Sequence, residues 1–220
     1  GISPLYGAGI AGAVLTLITL WLSIFDARRS GLEFPFTWLA PMGLVASFNF
    51  TCWAVAGMDV PLFTCLLWAA VVSYRGVRGA SASGRPWQRY PGLTCGLLLA
   101  AAGLARPEGA LAVVVLGGAE LIHAWRDRGR PVRRRRGTAA RILVPPLVAG
   151  AALTLARWLY YGDLLPNTYF AKEGGDLEHA RLGLAYLGGF LTESPLALAL
   201  PLLLVGFLIR QRAPWRVPPA

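Results

Sequence analysis

At 220 residues, with 55% hydrophobic and only 15% charged side chains, the chain is too apolar for an ordinary soluble domain, in which about a quarter of residues carry charge. A mean hydropathy of +0.53 and a net charge of +10 point instead to a polytopic, all-α integral membrane protein. Almost all of that positive charge is arginine in short loops between apolar runs, which fits topogenic loops and excludes a nucleic-acid binder, since no recognition motif accompanies it.

Taken in order, apolar runs predict spans at Leu5–Phe25, Phe36–Ala56, Val60–Tyr74, Pro91–Ala105, Gly109–Trp125, Ile142–Tyr160 and Tyr186–Ile209. A perpendicular helix needs about 20 apolar residues to cross a bilayer, so the third and fourth are thin and call for tilt or a half-length helix. The seven spans form one transmembrane domain over residues 1–220. Asp176–Leu184 is expected to lie along the surface as a short amphipathic helix, approached through a Gly174-Gly175 hinge. Starting on Gly1 and entering an apolar run almost at once, the chain reads as a piece of a longer protein.

The loops alternate in charge. Arg28 and Arg29, Arg75 to Arg89, Arg126 to Arg141, and Arg210 to Arg216 fall in every second loop or tail, and the positive-inside rule assigns them to the cytoplasm. Asp59, Arg106, Glu108, Asp163, Lys172, Glu173, Asp176, Glu178 and Arg181 then share the other side, where the acidic residues gather. Cys52, Cys65 and Cys95 lie inside spans with no metal or redox spacing and read as small apolar fillers. Glu120 and His123, three apart on one helix face, are expected to pair.

Three polar knots stand at the acidic side: Gly57-Met58-Asp59-Val60-Pro61, Ala105-Arg106-Pro107-Glu108-Gly109, and Tyr160-Tyr161-Gly162-Asp163-Leu164-Leu165-Pro166-Asn167-Thr168-Tyr169-Phe170-Ala171-Lys172. Each has a plain structural account. Asp59 suits a helix cap before Pro61, and Glu108 complements the dipole of the following helix. The Gly-Asp and Pro-Asn pairs of the third knot are turn chemistry. Together they offer more: a guanidinium whose fork matches phosphate oxygens, carboxylates, an amide, a lysine and aromatic faces.

In this order the knots resemble elements of bacterial polytopic glycosyltransferases of the GT-C type, similar to the mycobacterial terminal arabinofuranosyltransferase. Gly57 to Phe63 resembles the "GLE-x-PLF" element, Ala105 to Gly109 the "RPEG" element, and Tyr160 to Lys172 the "YYGD-x-LPNT-x-x-AK" element. The likeness runs from about Phe36 to Leu191, and the third element is the most specific. It implies a multi-pass enzyme of the bacterial cytoplasmic membrane. Such an enzyme takes a sugar from a polyprenyl-phosphate donor and passes it to a glycan, lipid or protein acceptor on the extracytoplasmic face.

The resemblance also implies a catalytic acid in the first extracytoplasmic loop, upstream of Phe36, where this chain shows no such motif. That segment is expected to precede the piece. Were none to exist, Asp59 or Asp163 would have to act as base. Asp59 also stands where the family shows Glu, which bears on any shared divalent cation. Arg106, and after it Lys172, are the expected phosphate contacts. Asn167 and Asp163 would orient sugar hydroxyls, Tyr161 and Tyr169 would stack on a sugar ring, and Glu108 with Asp59 would position the acceptor or Arg106. The rival readings are a transporter or lipid flippase, which calls for charges near the midplane and an internal repeat, and an inert structural subunit.

Overall fold

A computed structural model describes residues 4–56, 59–79, 91–126, 132–162 and 177–193, and every regular element among them is helical. The chain divides into two compact units, Gly1–Leu164 and Leu165–Ala220. The first holds α1 (Pro4–Arg29), a 3-10 turn (Phe36–Trp38), α2 (Leu39–Ala46), α3 (Phe48–Val55), α4 (Val60–Gly79), α5 (Pro91–Ala105), α6 (Gly109–Arg126) and α7 (Val132–Tyr161). Within α1, α4, α6 and α7 lie four stretches long and apolar enough to cross a membrane, which marks a membrane protein.

Helix ends follow local chemistry. α1 stops where Gly31 takes φ 79°: Leu32 N–H donates to the Ala27 carbonyl at 3.1 Å and Gly31 N–H to that of Arg28 at 3.0 Å. That is a Schellman closure, open to glycine because it has no Cβ to clash. α4 starts on the Asp59 carbonyl, which accepts from Phe63 N–H at 2.9 Å, with Pro61 in the first turn. It runs to Gly79, beyond the Tyr74 expected from hydropathy, because Arg75 reaches water while the helix continues.

The expected second span is not continuous. Ser47 adopts φ −74° and ψ 112°, which breaks the α-helical ladder between α2 and α3. The Thr51 hydroxyl donates to the Val45 carbonyl at 2.8 Å across that break, giving a partner to a carbonyl left over at the end of α2.

α5 is the hub, packed against α4, α6 and α7. Its buried residues are mostly small: Gly92, Cys95, Gly96, Ala100 and Ala102, with Leu99 as the one large side chain. Small residues let helix backbones approach closely, which is how helices associate where no hydrophobic effect separates them from lipid. A Cβ at Gly96 would collide with the Arg141 carbonyl of α7, and one at Gly109 with the Ala102–Gly103 backbone. Ala70 and Tyr74 of α4, Cys95 and Leu99 of α5 and Ile142 of α7 complete the core. Cys65 and Cys95 are buried free thiols, and Cys52 is an exposed one.

The contacts also fix direction. Along α1 and α4, Gly12 lies by Pro61 and Asp26 pairs with Arg75, so the two run parallel. Along α5 and α7, Gly92 meets Thr138 and Gly96 meets Ile142, so these too are parallel. The C-terminal ends of α1, α4 and α6 and the N-terminal ends of α5 and α7 therefore share one end of the bundle. Arg28, Arg29, Arg75, Arg126, Arg136 and Arg141 belong to that end.

There Asp26, whose side chain is 9% exposed, accepts a charge-assisted hydrogen bond from Arg75. Ser73 Oγ donates to the Pro91 carbonyl at 3.0 Å, closing α4 onto α5. Glu120 is buried and His123, one turn on, is exposed.

In the second unit, α8 (Leu177–Glu193) begins where the amphipathic helix was expected but continues past Leu184 into the expected seventh span. Residues 194–209 of that span, like Gly174-Gly175, lie outside the described residues.

Candidate functional site at the polar end of the bundle

At the end away from the arginines, α5 turns into α6 in three residues. Gly109 N–H donates to the Arg106 carbonyl at 2.9 Å, Ala110 N–H to that of Pro107 at 3.0 Å and Leu111 N–H to that of Glu108 at 3.0 Å. This tight turn holds Arg106 and Glu108 side by side. The Arg106 fork faces the Glu108 carboxylate, with Nε donating to Oε2 at 3.4 Å and Nη2 to Oε1 at 3.3 Å.

The start of α4 contributes to the same cluster. Asp59 Oδ1 lies 3.6 Å from Arg106 Nη1, and the Arg106 Cζ stands 6.0 Å from the centre of the Phe63 ring, within cation–π range. From the start of α4 the Asp59 carboxylate thus meets Arg106. The two knots, 47 positions apart in sequence, form one ion-pair cluster. The hydrogen bond to Glu108 raises the Arg106 guanidinium above its ordinary value; partial burial opposes this, and the charges of Asp59 and Glu108 add to it. Arg106 stays charged at any working pH.

The cluster is open. Side-chain exposures are 30% for Arg106, 47% for Asp59 and 61% for Glu108, so water or a ligand reaches both carboxylates. With one guanidinium and two carboxylates it is net negative. Among the described residues no group of three or more His, Cys, Asp or Glu side chains is placed to hold a metal ion.

Of the third knot, the described residues reach Gly162. Tyr160 and Tyr161, both exposed, meet edge-to-face with ring centres 4.7 Å apart at the end of α7. Gly162, at φ 75°, ends the helix with its N–H on the Trp158 carbonyl at 2.9 Å. Because α5 and α7 are parallel, this tyrosine pair belongs to the same end of the bundle as Arg106. Asp163, Asn167, Tyr169 and Lys172 lie outside the described residues.

Two participants carried no role in the sequence reading. Phe63 was visible only as part of an apolar element, and its use as a face for Arg106 depends on the approach of α4 to the α5–α6 turn. Asp26 was the lone acid beside an arginine pair, which was the signal available for its ion pair. Compared with protein-family models, with curated proteins and with solved structures, the chain matches none.

Proposed function

We propose that this chain is the membrane part of a GT-C type glycosyltransferase, with about seven spans in all, that moves a sugar from a polyprenyl-phosphate donor to a cell-envelope acceptor. The observation that carries the reading is the meeting of Asp59, Phe63, Arg106 and Glu108 in one open cluster. These residues come from two elements that resemble that family in sequence, and the end of α7, where the third element starts, belongs to the same end of the bundle. The arginine-bearing end takes the cytoplasmic side by the positive-inside rule, which sets the cluster on the extracytoplasmic face of the bacterial inner membrane.

Within this reading the residues divide by charge. Arg106 is already engaged by two carboxylates, so the donor phosphate falls to Lys172, the second sequence candidate. Tyr161 and Tyr169 supply faces for a sugar ring, and Asp163 and Asn167 supply hydrogen bonds to its hydroxyls. The base that takes the acceptor proton belongs to a loop upstream of Phe36, as in the family.

The break at Ser47 is the one observation on the side of a transporter, since discontinuous helices often line transport sites. Membrane vesicles holding the full-length protein, supplied with polyprenyl-phosphate pentoses and hexoses, separate the two. A transferase converts donor to glycosylated product, whereas a flippase changes only its sidedness. Arg106→Ala is expected to lower transfer about 100-fold, the scale of misplacing the carboxylates it holds, with membrane levels unchanged. Normal turnover in that variant would remove the cluster from the mechanism.

A further inference from the structure

Arg157 of α7 stands one turn before Tyr161, about 6 Å short of the end of the helix at 1.5 Å per residue, inside a stretch apolar enough to cross a membrane. From Thr154 to Tyr161 every residue is exposed except Arg157. With Ile142, Pro146, Ala149 and Leu153 it forms the inward stripe of α7, at three- and four-residue steps. Register sets its height. Gly96 of α5 lies against Arg141 and Ile142, so Ala105, where α5 ends, is level with about Gly150 and Ala151. The last turns of α7, Arg157 among them, therefore rise to the level of the turn from Arg106 to Gly109.

Two other guanidinium groups of the bundle are matched by acids, Arg75 by Asp26, and Arg106 by Asp59 and Glu108. Among the described residues no carboxylate meets Arg157. A guanidinium within a membrane helix is costly unless an anion or water receives it. Snorkelling is the usual relief, but helix side chains lean towards the N-terminus. On α7 that lean turns Arg157 away from the nearer membrane surface. We infer that Arg157 receives the phosphate of the lipid-linked donor, beside Lys172. The inference rests on the sugar-transfer reading and adds to it a second phosphate contact, on a membrane helix. In the transfer step the anomeric carbon leaves a phosphate oxygen for the acceptor oxygen, and the acceptor proton passes to the base. The bond pair stays on the phosphate, whose negative charge grows, and a cation already in place lowers the barrier by meeting it. The planar fork matches two phosphate oxygens.

The test uses the full-length protein in phosphatidylcholine nanodiscs and two probes with the same chain, farnesyl phosphate and farnesol. Arg157→Gln is expected to weaken binding of farnesyl phosphate about tenfold, the scale of one charge-assisted hydrogen bond, and to leave farnesol binding unchanged. Farnesol thereby reports whether the variant is folded. Farnesyl phosphate binding that survives Arg157→Gln overturns the inference. Equal loss of both probes makes Arg157 a packing residue and overturns it as well. Nanodiscs rich in phosphatidylglycerol separate a substrate phosphate from a bulk headgroup. The effect of Arg157→Gln is expected to persist in them; its disappearance assigns the guanidinium to bulk lipid and overturns the inference. Each of these failures leaves the transfer assay standing, whereas absence of transfer with the Arg157-dependent preference intact sinks the transfer reading alone.

Discussion

The two ends of the bundle use the same pair of chemical groups to opposite effect. At the arginine-rich end, Asp26 of α1 is almost sealed, and Arg75 of α4 reaches in to meet it. At the other end, Arg106 lies between Asp59 and Glu108, both open to water. A sealed carboxylate without a partner costs several kcal/mol, so the first pair ties α1 to α4. Exposed pairs contribute only about 0–1 kcal/mol, so the second has little to do with stability. Burial separates a clasp from an open cluster where composition does not.

The largest effect is expected from the sealed half. Gly96→Leu forces a side chain into the Arg141 and Ile142 carbonyls of α7, backbone atoms that have no rotamer to yield. Overpacking of this kind costs about 1–3 kcal/mol where side chains can shift, and more against backbone. The variant should lose its thermal transition in detergent or fall sharply in membrane yield. A transition within two or three degrees of the unaltered protein would mean that α5 and α7 do not pack through Gly96.

How much of this was legible in the sequence depends on range. Spans one, four and five matched helices closely, because each is an apolar run bounded by Pro, Gly or arginine; the sixth lies within α7, which begins ten residues earlier, at Val132, in the stretch expected to be an arginine loop. The break at Ser47 was not, since the run from Phe36 to Ala56 holds no proline or glycine at that point; only the polar Ser47, Asn49 and Thr51 hinted at it. Of the expected site, the knots at Asp59 and at Arg106–Glu108 were legible as neighbours at one end of the bundle. The pairing of Arg106 with Asp59 and Glu108 stood among the roles open to those acids, and the structure makes both contacts; the Phe63 face was not legible, because it meets Arg106 only through the packing of α4 on α5. The same holds for Asp26 and Arg75, 49 positions apart. Loop charge reports which end a residue occupies, and helix packing decides whom it touches.

A middle-sized effect sharpens the contrast. Asp26→Asn keeps the shape of the side chain but removes its charge, leaving Arg75 half exposed and able to turn to water. The loss is therefore expected at about 1–2 kcal/mol, below the 3–5 kcal/mol of a fully buried pair whose partner is stranded. Thermal unfolding in detergent reads it directly. If Asp26→Asn proves as stable as the unaltered protein, the clasp is ornamental and α1 is held by apolar packing alone.

The smallest effect is expected at the open end, and it is the most telling. Asp59→Asn and Glu108→Gln should each shift stability by no more than about 0.5 kcal/mol, as exposed ion pairs do. Each variant leaves the Asp59 carbonyl bond to Phe63 and the turn from Arg106 to Gly109 intact, since those bonds are made by backbone. A protein does not gain stability from carboxylates held in water, so two of them gathered on one arginine call for another reason. If either substitution instead lowers the transition as far as Asp26→Asn does, the cluster is a second clasp. If both are silent in unfolding, its purpose lies in what it binds.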